Sequence, residues 1–450
     1  MFISVVTVSG KVFLHRLRWL IAFLIPALVS GQSATSDSVL QNATLENVVR
    51  YAIERNPDLK NALLDERITE TMIRERLADW LPQVGLNYSY QRNFQLPTSN
   101  FNNQFIRTGV NNTSGIHFGL SQNIFNRDVL LTTRTARDAR LQSKQNTASQ
   151  RINIAVLVSK AFYDVILTVQ QLHVIDEDIN RINVSLKDAY FQYQGGVTDK
   201  TDYKRATIAL NNAKAQKRSG EQSLKAKYAY LKELMGYPVS QDFELQYDTT
   251  QLKAEIFIDT LQVVSYSNRV EFQLLQTQKN LLQYNLSYAR WSFLPELSLF
   301  ANYNLNYQSN NFGKLYNENY PNSFAGLLLA FPIFQGGKRL QQVRQARFQL
   351  LQVDNQITDV TNTINTQFVQ ALASYKSNLF NYQSQQENVA LAREVYDVIQ
   401  LQYRAGVKTY LEVINAETDL RTAQINMYDA LYQVLSSKVE VQQSLGSITY

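Results

Sequence analysis

Few side chains in this chain could do chemistry, and they are scattered. Its 450 residues include three histidines and no cysteine. That removes disulfides, thiolate metal sites and cysteine nucleophiles together. His15 falls in an N-terminal segment expected to be discarded, His117 in a strand-like segment and His173 in a helical one, with no metal-ligand spacing. Gly336-Gly337 closes a strand pattern and opens a helical one, where a phosphate cradle would sit. The further glycines and the Lys-Ser/Thr pair of such a loop are missing, which leaves a tight strand-to-helix turn. No Ser/His/Asp constellation or nucleotide fingerprint is present, so neither an enzyme nor a cofactor is expected. Asp202, Glu412 and Asp419 lie in helical stretches and, on spacing alone, read as solvated helix surface.

Composition narrows the class. A hydrophobic fraction of 45% excludes a mainly disordered chain. The charged fraction is 18%, with Asn and Gln filling the gap. Of the net charge of +6, Lys11, Arg16 and Arg18 supply three units within residues 1–31, so the remainder carries +3. That gives no reason to expect nucleic-acid binding. Those three basic residues precede an apolar run at 19–29 and then Ser30-Gly31, the pattern of an export signal over 1–31. No later helix reads as a membrane span; 154–169 comes nearest, but Lys160 and Asp164 interrupt it.

The elements that position these residues come in duplicate. Leu81-Pro82 recurs as Leu294-Pro295, and Ile124-Phe125-Asn126 as Ile333-Phe334-Gln335. The run from Phe191 to Val197 recurs from Leu401 to Val407, and Leu234-Met235-Gly236 as Ser444-Leu445-Gly446. The offsets are 213, 209, 210 and 210, so repeats 32–236 and 237–450 meet near Tyr237-Pro238. Within each, period-two alternation predicts strands at about 83–95 and 113–125, then at about 296–308, and a segment apolar on both parities supplies the fourth at about 322–334. Asn-rich loops are expected at 96–113 and 308–322. The remainder reads helical. From Leu340 to Tyr382 one apolar stripe advances 42 residues in twelve steps, 3.5 per step, the coiled-coil period. Helices of ~65 residues would run ~100 Å. Shorter return helices follow at about 201–235 and 409–445, after turns at Gly195-Gly196 and Ala405-Gly406.

The windows 83–91, 108–126, 297–313 and 319–337 contain no charged residue. One apolar and one polar but uncharged parity suits a barrel with lipid outside and water inside, better than a soluble sheet packed on helices. Four strands cannot close a barrel, and lipid forbids open sheet edges, so the chain must oligomerise. Eight, twelve or sixteen strands satisfy that arithmetic equally.

The run Phe331-Pro332-Ile333-Phe334-Gln335-Gly336-Gly337-Lys338-Arg339, followed by Val343-Arg344-Gln345-Ala346, resembles the TolC family of outer-membrane efflux ducts. The Leu-Pro pairs, the Tyr-x-x-Gly turns at 193–196 and 403–406 and the duplication match as well, from about Leu45 onward. The resemblance implies an α+β membrane protein, a homotrimer whose 12-stranded transmembrane β-barrel continues as a twelve-helix periplasmic barrel of coiled-coil hairpins. It implies a passive exit duct in the outer membrane, working with a periplasmic adaptor and an inner-membrane pump of RND or ABC type. Cargo stays open among drugs, metals and proteins. The alternative is an exported structural or adhesive coiled-coil protein. By the same resemblance, Asp202, Tyr403 and Lys408 form the closed entrance gate. Lys408 stands where Arg is commoner and offers a point charge, not a planar fork. Glu412 takes the first acidic-ring position, Asn415 the second, and Asp419, seven residues beyond Glu412, lies on the same face. Gly195, Gly196, Val197, Thr198, Gly406 and Val407 would meet the adaptor, although glycine also ends helices on its own account.

Overall fold

The computed structural model describes residues 42–448, and the expected export segment 1–31 lies outside the described residues. The chain begins with α1 (Leu45–Arg55) and α2 (Pro57–Leu77). Asn56 caps α2, its side-chain oxygen accepting from the Asp58 N–H at 2.8 Å, and Pro57 fills the first helical position, where no N–H is needed. Strand β1 (Gln83–Arg92), a small hairpin of β2 (Thr98–Phe101) and β3 (Gln104–Arg107), and β4 (Asn112–Phe125) follow. Then come α3 (Arg127–Gln194) and its return helix α4 (Lys200–Met235). A connecting stretch with the short α5 (Thr249–Ala254) leads to α6 (Val270–Trp291), β5 (Glu296–Ser309), β6 (Tyr320–Ala330), α7 (Lys338–Arg404) and α8 (Tyr410–Leu445). The duplication is metric as well as topological. Helices α3 and α7 have 68 and 67 residues, and α4 and α8 have 36 each.

The return helices end alike. Gly236 and Gly446 both adopt left-handed φ, 63° and 70°. A Cβ would come within 2.8 Å of the Arg55 carbonyl oxygen at Gly236, and within 2.9 Å of the Asn268 carbonyl oxygen at Gly446. Glycine is required twice over, by conformation and by backbone approach.

The four long strands form one antiparallel sheet in the order β1-β4-β5-β6. Register separates the faces. Leu86 pairs with Phe118, Phe118 with Tyr303, and Leu299 with Leu327, on the apolar face. On the other face Asn87, His117, Asn304 and Asn322 form one transverse row. His117 Nδ1 lies 2.9 Å from Asn304 Oδ1, and Asn304 Nδ2 donates to Asn322 Oδ1 at 2.7 Å. His117 is thus part of a polar ladder. The outer strands β1 and β6 leave one edge each without a partner among the described residues.

Two strand-region expectations need correction. The fourth strand stops at Ala330 instead of 334, because Pro332 has no N–H to donate to a ladder. The loop at 96–113 contains the β2–β3 hairpin, turned by Asn102 and Asn103 at φ 50° and 65°. Asparagine tolerates that region, as two-residue hairpin turns require.

Helix α3 packs against α1, α2, α4, α6 and α8. One window of α3 has a mean hydropathy of 1.7, apolar enough for a membrane span, but most of it is buried inside the protein. It is the core of the helical part. Helix α7 packs mainly on α6 and α8. Every member of its 3.5-period stripe except Leu340 is buried or half-buried. Phe348, Leu351, Val369, Phe380 and Leu391 remain exposed elsewhere on α7.

Candidate functional site

Both helical hairpins turn by the same backbone device. The Val197 N–H donates to the Gln192 carbonyl at 2.9 Å, and the Val407 N–H donates to the Gln402 carbonyl at 2.9 Å. This closes each long helix as a Schellman turn around Gly196 and Gly406, at φ 74° and 76°. Val197 and Val407 stand exposed at the two tips, and Gly195 and Thr198 complete the first turn. Asp199 then caps α4 by accepting from the Thr201 N–H.

Behind the tips lies a small core of Ala206, Tyr403, Tyr410 and Val413, contributed by α4, α7 and α8. The rings of Tyr403 and Tyr410 are 5.7 Å apart. The Tyr403 hydroxyl donates to Gln192 Oε1 at 3.0 Å, tying the second hairpin to the first. Asp202 sits in the first turn of α4. Partial burial, with the neighbouring Asp199 charge, raises its pKa. Burial, then the charge of Asp202, raises the Tyr403 phenol. Asp202 and Tyr403 are therefore electrostatic neighbours, but the hydrogen bond of Tyr403 goes to Gln192.

Lys408 is likewise committed locally. Its Nζ lies 2.6 Å from Glu412 Oε1. The other oxygen of Glu412 accepts from the Thr409 N–H at 2.9 Å and the Thr409 hydroxyl at 3.1 Å. Glu412 thus completes a capping box at the start of α8. The Lys408 contact, with the Thr409 bonds, holds its pKa at about 2. Asn415 and Asp419 follow Glu412 on one face of α8, and both are exposed. Among the described residues Asp419 has no ion-pair partner, so it is the uncompensated carboxylate of that face.

Sequence reasoning missed a second cluster about two turns farther from the tips. Asp178 and Arg181 of α3 meet Glu417 and Arg421 of α8, with Asp178 at 0% and Glu417 at 3% exposure. The signal was present, because Glu417 occupies a position in phase with Val413, Ala416 and Leu420 on the buried face. Among the described residues no group of three or more His, Asp or Glu could hold a metal ion.

The family model described as "Outer membrane efflux protein" matches residues 48–237 and 265–447, which takes in both repeats and omits the connection between them. The chain belongs to the outer membrane efflux protein family. It is thus an outer-membrane channel protein of the efflux and secretion class and not an enzyme. Outer membrane protein TolC of Vibrio cholerae is 21% identical over 95% of this chain and 96% of its own. The alkaline protease secretion protein AprF of Pseudomonas aeruginosa is 22% identical over 86% of this chain and 81% of its own. The crystal structure of the Campylobacter jejuni CmeC outer membrane channel superposes with a TM-score of 0.72 at 18% identity, covering 90% of this chain and 85% of that one. An efflux-family protein with these hairpins has the TolC-like fold that the resemblance at 331–346 implied.

Proposed function

We propose that three copies of this chain close a 12-stranded barrel in the outer membrane and continue it as a periplasmic helical duct. The observation that carries the reading is the open four-stranded sheet. Its two edges, unpaired among the described residues, and its largely apolar face demand partner strands in lipid. The exposed apolar side chains on α7 supply the matching contact between neighbouring copies.

In this reading the duct is passive. The sequence carries no nucleotide fingerprint, so an inner-membrane pump of RND or ABC type, joined by a periplasmic adaptor, supplies energy. The adaptor meets the exposed tips at Gly195, Gly196, Val197, Thr198, Gly406 and Val407. Asp202, Tyr403 and Lys408 hold the entrance closed. Glu412, Asn415 and Asp419 line its narrowing, where carboxylates favour cations.

Planar-bilayer conductance of the purified oligomer tests the proposal. Small, steady channels blocked by a trivalent cation on the tip side are expected. Because Lys408 compensates Glu412, Asp419→Asn should relieve the block more than Glu412→Ala does. A fully assembled oligomer without channels would overturn the duct.

A further inference from the structure

The charged cluster between α3 and α8 is unevenly satisfied. Asp178 receives two guanidinium groups, Arg421 Nη1 on Oδ2 at 2.9 Å and Arg181 Nη2 on Oδ1 at 3.3 Å. Glu417 fares worse. Its nearest cation contact is Arg181 Nε at 3.8 Å. Among the described residues neither Glu417 Oε1 nor Arg181 Nε, both buried, has a hydrogen-bond partner. A second negative charge at this place therefore meets burial, an unfilled acceptor and the existing charge of Asp178.

The surroundings offer little relief. From α7, the ring of Tyr396 lies 5.9 Å from the Arg181 guanidinium carbon. From α8 itself, Tyr410 brings a buried hydroxyl with no hydrogen-bond partner among the described residues, and Arg421 is already engaged by Asp178. From α3, Glu177 lies 3.8 Å from Arg181 and 3.5 Å from His173. From α4, Asp202 faces Tyr410 and adds a further negative charge. Burial first, then Asp178, outweighs both arginines and lifts Glu417 to about 8. Between neutral and mildly alkaline pH this carboxyl changes charge inside the protein.

The cluster is the polar link nearest the tips in the contact between the first repeat's long helix and the second repeat's return helix, where Gln171 with Asp429 and Lys160 with Glu440 lie farther back. Helix α8 leads directly back to the tip that carries Lys408 and Glu412. We infer that Glu417 is a proton-dependent latch: protonated, it keeps α3 and α8 packed and the second hairpin in place, and loss of the proton loosens that hairpin toward an open entrance. The inference rests on the duct reading and adds to it a control point outside the tip gate.

Single-channel recording of the wild-type oligomer from about pH 6 to about pH 9 tests it. Conductance or open probability is expected to rise about three- to tenfold, with a midpoint near pH 8. Glu417→Gln keeps the shape of the protonated acid and should stay at the low level throughout. Asp178→Asn leaves the burial of Glu417 but removes the charge that adds to it and frees both arginines, so it should move the midpoint to lower pH, which a merely structural role would not do. His173→Gln removes the ring beside Glu177 and should leave the midpoint in place. If a variant fails to assemble, hydrogen exchange of segment 405–421 in the wild type serves instead. Corrected for intrinsic rate, its protection should fall above about pH 8. A flat wild-type conductance, unchanged protection, or a pH response retained by Glu417→Gln overturns the latch and leaves the duct standing. Absence of channels from assembled oligomer at every pH overturns the duct itself.

Discussion

Tyr403 was singled out for the entrance, but its hydrogen-bond partner was not. The family resemblance grouped it with Asp202, and the charge of Asp202 acts on its phenol. Its hydroxyl nevertheless bonds Gln192, because helix rotation at the end of α3 brings that amide within 3.0 Å. Side-chain pairing across helices depends on rotation angles that no local pattern carries. Tyr403→Phe is therefore expected to weaken the link between hairpins by about 1 kcal/mol. Combined with Asp202→Ala it should raise single-channel conductance, and unchanged conductance would place the gate elsewhere. In a double-mutant cycle on thermal midpoint, Tyr403→Phe and Gln192→Ala should be non-additive. Glu412 is a separate case. Its pKa falls on folding from 4.5 to about 2, so it contributes to the fold above 4.5 and loses that contribution as pH falls toward 2. Acidification through this window should fray the start of α8, seen as faster exchange of the Thr409 amide than in the middle of the helix.

Elements were legible wherever a period ran long enough. Alternation over about ten residues identified three of the long strands, an apolar run the fourth, and the 3.5-residue stripe identified α7. The β2–β3 hairpin was not legible, because two four-residue strands of mixed polarity hold too few residues to show a period. The helix ends are the most predictable elements of all. Gly236 and Gly446 sit at matching places in the two repeats, each against a backbone carbonyl. Gly236→Ala and Gly446→Ala should each lower the thermal midpoint of the detergent-solubilised protein. Gly85→Ala is the control, since a Cβ there meets nothing within 4 Å. Equal effects at all three positions would contradict the close approach.

At the scale of the whole molecule, the open sheet governs behaviour. Leu86 and Asn87 are adjacent in β1 but face opposite sides, one in the apolar row and one in the polar ladder. Leu86→Arg should disfavour insertion by about 2–4 kcal/mol near the bilayer midplane and reduce the yield of assembled oligomer. Asn87→Arg should assemble normally and shift ion selectivity toward anions. Similar assembly of the two variants would show that the apolar face does not meet lipid.

The sequence alone determined the duplication, the alternation of strand pairs with long helices, the uncharged strand faces and the absence of catalytic groups. Each is a local or periodic property that survives without knowing which segments touch. Tertiary structure alone decided the strand order β1-β4-β5-β6, the partners of Tyr403 and Lys408, and the burial of Glu417 beside Asp178. Asp178 and Glu417 lie in different repeats and far apart along the chain. Only the packing of α3 on α8 brings their charges together and removes them from water, and that loss of solvent is what gives the pair its chemistry.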